Sequence, residues 1–128
     1  MEKEKEFILW FDQLGIEDVP LVGGKNASLG EMYRSLTEKG VSVPNGFAVT
    51  AHAYRYLLEK TNAADKIKQI LSDLDTSNMQ NLAERGKKVR TLIKNLEFPQ
   101  QLRDEIVKAY ANLEKQYGEN VDTAVRSS

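Results

Sequence analysis

Residues 21–32 read Leu-Val-Gly-Gly-Lys-Asn-Ala-Ser-Leu-Gly-Glu-Met, and the fold turns on how this stretch changes character half-way along. Gly15 to Lys25 carries three glycines and a proline, which predicts a loop with no regular element. From Asn26 to Lys39 the apolar residues Leu29, Met32, Tyr33 and Leu36 fall at i, i+3, i+4 and i+7, one face of a helix, and Gly40 suits its C-terminal cap. Ser28 and Glu31 have capping-box spacing. A glycine loop that runs into a helix leaves unpaired N–H groups and the positive end of the helix dipole beside Lys25. That combination binds anions, so phosphate is one reading of Gly23, Gly24 and Lys25. The same spacing equally fits a plain helix entry with Lys25 in solvent.

Working outward, Phe7 to Phe11 (FILWF) is a short buried strand bounded by charge and by Asp12 and Gly15. Val43-Pro44-Asn45-Gly46 is a turn leading into a second strand, Phe47 to Thr50, and Thr50 fits as N-cap of a helix through Tyr54, Leu57 and Leu58. Ile67, Ile70, Leu71 and Leu74 mark another helix. A longer one spans about Ser77 to Leu96, with Met79, Leu82, Val89, Ile93 and Leu96 on its buried side and Gly86 admitting a close neighbour. Pro99 opens a last helix whose apolar stripe is Leu102, Ile106, Tyr110, Leu113 and Tyr117, ended by Gly118. Val121 to Arg126 alternates loosely and predicts a third strand. The fold class is α+β: helix-rich, with a small mixed β-sheet and helices packed on it.

Composition narrows the function. The 128 residues hold 18 Lys and Arg against 19 Asp and Glu, a formal charge of −1, so no global basic field draws nucleic acid or an anionic membrane. Any anion site is local. No cysteine is present, which removes disulfides, thiol nucleophiles and zinc–thiolate sites and fits a cytoplasmic setting. The apolar runs are far shorter than the roughly 20 residues that span a bilayer. The size suits a single domain, and no internal linker divides the chain.

The glycine loop is neither a Walker A motif, because Val19 and Asn26 stand where that motif needs Gly and Ser or Thr, nor the GxGxxG of dinucleotide folds. Val125-Arg126-Ser127-Ser128 places a forked guanidinium and two hydroxyls at a strand end, a donor set for a phosphate oxygen. A frayed tail is the plainer reading of those residues taken alone. His52, without a carboxylate or second His at ligand spacing, is structural. Arg85, Lys87, Lys88, Arg90 and Lys94 form a solvated basic face.

Three stretches together resemble the phosphoenolpyruvate synthase family. They are WFDQLGIEDVPLVGGKNASLGEM (10–32), GVSVPNGFAVTAHAY (40–54) and TAVRSS (123–128). The pyruvate phosphate dikinases and rifampicin phosphotransferases share the Gly-Gly-Lys and Val-Arg-Ser elements. The resemblance implies the N-terminal part of an ATP-grasp nucleotide-binding domain in which Lys25 and Arg126 contact ATP phosphates, with Gly23 and Gly24 admitting the nucleotide. It implies a reaction of ATP, pyruvate and water through a phosphohistidine, with Mg2+ required. The magnesium-binding acids, the phosphorylated histidine and the pyruvate-binding barrel are expected beyond residue 128, so these residues alone are expected to be inactive and to include no catalytic residue. A related histidine-linked phosphotransferase, or a helical interaction module meeting an acidic partner through the basic face, are the alternative readings.

Overall fold

The computed structural model describes residues 2–128. Its elements divide into two compact units, one taking the chain up to Tyr54 and again from Gln100–Ser128, the other Arg55–Pro99.

The first unit is built on two short strands, β1 (Ile8–Trp10) and β2 (Phe47–Val49), paired antiparallel with Leu9 opposite Ala48 and Trp10 opposite Phe47. Alternation puts Leu9 and Ala48 on one face, where they join Leu14, Val22 and Ala27 in a core with Leu9, Leu14 and Ala27 fully buried. On the other face the Trp10 and Phe47 rings meet at 5.3 Å. The α+β class and the helical weight hold. The third strand expected at Val121 to Arg126 does not form, because nothing among the described residues pairs with it; residues 121–128 are irregular and exposed apart from a half-buried Val121. The small sheet is therefore purely antiparallel rather than mixed.

The stretch expected to be structureless is tightly organised. Leu14 leads into a 3-10 turn, Ile16–Asp18, then a single-turn helix α1 (Val19–Val22) with Pro20 in its first turn, where a fixed φ fits. Helix α2 (Gly24–Glu38) follows after Gly23 alone. Its most buried residues are small ones, Ala27 and Gly30, while Met32 of the expected stripe is exposed. The reason is a close approach: a Cβ on Gly30 would lie 2.5 Å from the Leu14 Cβ and 2.8 Å from its carbonyl oxygen. Glu31 does not close a capping box with Ser28; its carboxylate accepts from the Ile16 N–H at 3.1 Å, across to the loop.

Thr50 caps α3 (Ala51–Lys60) as its position predicts. Its hydroxyl accepts from the Ala53 N–H at 3.1 Å and donates to the Glu6 carbonyl at 2.6 Å, tying the helix start to the segment before β1. Helix α6 (Gln100–Tyr117) buries Leu102, Ala109 and Leu113 and packs on β1, leaving Tyr110 and the Tyr117 ring half-exposed; the Tyr117 hydroxyl accepts from the Asn45 N–H at 2.6 Å.

In the second unit α4 (Ala63–Leu71) and α5 (Met79–Lys94) pack against one another. Asn78 caps α5, accepting from the Asn81 N–H at 3.1 Å. The expected buried side of α5 is not buried: Met79 is 83% exposed, Leu82 46% and Ile93 38%. Two helices cover only the sides they turn to each other. Gly86 admits no neighbouring element either, since a Cβ there would meet only the Arg90 guanidinium of its own helix, at 3.3 Å. Arg85, grouped with the solvated basic residues, instead fastens the pair: it donates to the Ile70 carbonyl at 2.6 Å and forks onto the Asp73 carboxylate at 2.7 and 3.3 Å. Lys87, Lys88, Arg90 and Lys94 are exposed as expected.

Candidate functional site

The candidate site is the start of α2. Gly23 is its N-cap with φ +84° and ψ 168°, a conformation that L side chains rarely adopt, so glycine is required by the backbone itself. Lys25 therefore lies inside the first helical turn rather than in a loop before it. That turn contains no acidic residue, and no ion pair to Lys25 forms among the described residues. A cation at the positive end of a 15-residue helix, with no acidic side chain in that turn, is electrostatically unfavourable. An anion would relieve both charges. Where a Cβ on Gly24 would project there is nothing within 4 Å, so this side of the turn is open.

The other predicted element arrives at the same place. The Asn26 N–H, one of the orphan donors of α2, donates to the Ser128 hydroxyl at 3.1 Å across 102 residues of sequence. Ser128 is so close to Gly23 that a Cβ on the latter would stand 2.6 Å from the Ser128 Oγ. Arg126 is two residues away, within about 7 Å of Ser128 along an extended chain, is exposed, and forms no ion pair among the described residues. The Gly-Gly-Lys and Val-Arg-Ser-Ser elements thus meet at one helix N-terminus.

Just upstream, at the entry to α1, stands Asp18, which nothing in the sequence singles out. It is 6% exposed, and its Oδ2 accepts from the Lys3 ammonium at 2.9 Å and the Gly15 N–H at 3.0 Å. Burial pushes its carboxyl up, but the Lys3 and Gly15 hydrogen bonds and the attraction of Lys3 and Arg34 outweigh this and hold its pKa below the ordinary 3.8. Arg34 also donates to the Leu14 carbonyl at 3.3 Å and lies 3.7 Å from Glu17 and 3.8 Å from Glu31. A buried acid fifteen residues from a lysine in sequence has no local signature; only folding pairs them.

His52 is structural, its ring stacked on Phe7 with centroids 5.3 Å apart. No group of three or more His, Asp or Glu able to hold a metal ion occurs among the described residues, and no described helix is long and apolar enough to cross a membrane.

Comparison with known proteins points the same way. The family profile described as "Pyruvate phosphate dikinase, AMP/ATP-binding domain" matches residues 19–128, nearly the whole chain and both elements of the site. The chain is 50% identical to the phosphoenolpyruvate synthase of Synechocystis sp., over 98% of this chain and 16% of that protein. It is 47% identical to that of Aquifex aeolicus, over 100% of this chain and 15% of the relative, and 45% identical to that of Escherichia coli, over 94% and 15%. The chain therefore spans about one-sixth of the length of these curated relatives.

Proposed function

This chain belongs to the pyruvate phosphate dikinase AMP/ATP-binding domain family, and from that premise we propose that it forms one wall of the ATP site of a phosphoenolpyruvate synthase. Lys25 and Arg126 are the phosphate-binding cations. The N–H groups of Gly24 and Lys25 face the same anion, and Gly23 and Gly24 keep the approach clear. Ser128 is an accessory donor: its oxygen accepts from the Asn26 N–H, which leaves its own O–H free to reach a phosphate oxygen. The observation that carries the reading is that hydrogen bond, because it brings two cation-bearing segments from opposite ends of the chain to one helix N-terminus.

In the whole enzyme, ATP, pyruvate and water give AMP, phosphate and phosphoenolpyruvate through a phosphorylated histidine, water taking up the phosphoryl group that leaves as phosphate. Two cations fixed around the triphosphate position it and offset charge as the phosphoryl group moves, which is most of what such a transfer needs. Magnesium belongs to that reaction; the described residues include no group of three or more His, Asp or Glu to hold it. The ATP-grasp fold, a cytoplasmic setting and a place in gluconeogenesis belong to the same proposal.

The test is to replace Lys25 or Arg126 with Ala in the full-length protein and follow the two directions of histidine phosphorylation. ATP-driven phosphorylation should fall by about 100-fold, the scale of losing one charged transition-state contact, while phosphoenolpyruvate-driven phosphorylation persists. Equal loss of both would overturn the assignment.

A further inference from the structure

We propose that Asp18 is a positioning residue for the phosphate site, acting through α1 to fix the backbone of Gly23 to Lys25. The inference rests on the phosphate reading of that turn and deepens it.

Among the described residues Asp18 is the only buried side chain that carries a charge; the other buried polar side chain is the neutral Thr50. An ionised carboxylate is kept out of water only where its partners are fixed. Here they are the Lys3 ammonium and the Gly15 N–H, both on the same oxygen. The charged groups around it are Lys3 on the N-terminal 3-10 turn, Glu17 beside it in sequence, and Arg34 and Glu31 on α2, the last two bracing the loop from the far side.

The position of this anchor gives it leverage. A four-residue helix has no stability of its own, so the direction of α1 is set at its ends. Asp18 is the residue that enters it. At the exit the Gly23 N–H closes on the Val19 carbonyl at 2.8 Å, and Val22 is buried in the core. Between these points Pro20 removes backbone freedom. A shift at Asp18 is therefore delivered one turn later to Gly23, whose φ of +84° aims the first N–H groups of α2. Misplacing such donors by a fraction of an ångström weakens a bound phosphate without touching it.

The experiment uses the full-length protein with Asp18→Asn, Lys3→Met, their double variant, and Lys25→Ala as reference. Asp18→Asn keeps an acceptor for Gly15 but removes the charge. Its KM for ATP should rise about tenfold with kcat at saturating ATP nearly unchanged, the pattern of displaced ground-state binding groups. Phosphoenolpyruvate-driven phosphorylation of the histidine should not change. Lys3→Met should raise the same KM, and the double variant should be no worse than the more impaired single one, since both remove one interaction. Parallel loss of kcat and of both half-reactions would show a general folding role and overturn the proposal, as would additive effects of the two substitutions. An unchanged KM in Asp18→Asn beside a Lys25→Ala variant that loses ATP-driven phosphorylation overturns it alone; unimpaired ATP-driven phosphorylation in Lys25→Ala overturns the phosphate reading beneath it. If Asp18→Asn does not fold, the KM of Lys3→Met decides: a rise supports the proposal and no change overturns it.

Discussion

The unit around β1, β2 and α2 and the unit formed by Arg55–Pro99 use apolar residues in opposite ways. In the first, a handful of residues from five segments, Leu9, Leu14, Val22, Ala27 and Ala48, close on one another with almost no exposure. In the second, α4 and α5 carry as clear an apolar periodicity, yet only Leu57 and Ala63 are buried there, and Met79, Leu82 and Ile93 remain open. A polar clasp also joins the pair, the Arg85 fork onto Asp73 and the Ile70 carbonyl, with the Arg85 Nε buried and unpaired. Periodicity reports that a helix has an apolar side; it does not report that anything covers it. The candidate site sits on the unit whose core is closed, where a backbone N–H can be held to within fractions of an ångström.

The comparison is broken most directly by removing one leucine from each unit. Leu14→Ala should cost about 3 kcal/mol, a fully buried side chain leaving a cavity, whereas Leu82→Ala, already half in solvent, should cost under about 1 kcal/mol. Urea denaturation checks both, and equal costs would mean that the second unit hides a core of its own. A paired glycine test follows. Gly30→Ala should destabilise by about 2 kcal/mol, because the new methyl meets the Leu14 Cβ and carbonyl and neither is free to move. Gly86→Ala should instead stabilise by about 0.5 kcal/mol, since an exposed helix gains propensity and the flexible Arg90 end can give way. Opposite signs from one substitution in two helices would sharpen the contrast; like signs would erase it.

The smallest effect concerns acid. The Asp18 pKa is lowered on folding, so its contribution to stability is complete above the ordinary 3.8 and is lost as pH falls through the lower folded value. Amide exchange should show the loop from Gly15 to Gly23 opening more readily as pH falls below the ordinary 3.8, an acid step that Asp18→Asn lacks. In the α4–α5 connection Asp75 is also lowered, by its hydrogen bonds from the Ser77 hydroxyl and N–H, but it is exposed, so the acid step there should be smaller.

Much of the fold was legible before folding. FILWF and FAVT are apolar runs between breakers, and each became a strand of three residues. Thr50 announced its cap because a hydroxyl before a helical run has few better uses. The phosphate reading proposed for Gly23, Gly24, Lys25 and Arg126 came in part from their chemistry and in part from resemblance. The stretch 15–25 misled because composition counts glycines without asking where they stand. Gly15 and Gly23 flank one ordered turn, α1 fills the gap, and the helix starts at Gly24 rather than Asn26. Gly30 and Asp18 were invisible for a related reason: their partners, Leu14 and Lys3, come from segments brought together only by folding.

The sequence by itself determined the longer helices, the two strands, the absence of a global anion-attracting charge and the residues that could serve a phosphate. Local propensity and side-chain chemistry suffice for those. Tertiary structure alone decided that the tail would leave the sheet and set Ser128 on the Asn26 N–H, that α2 would bury its small residues rather than its large ones, and that a carboxylate would be held out of water behind the site. Each is a contact between distant segments, fixed by which backbones can approach closely and which charges meet when they do.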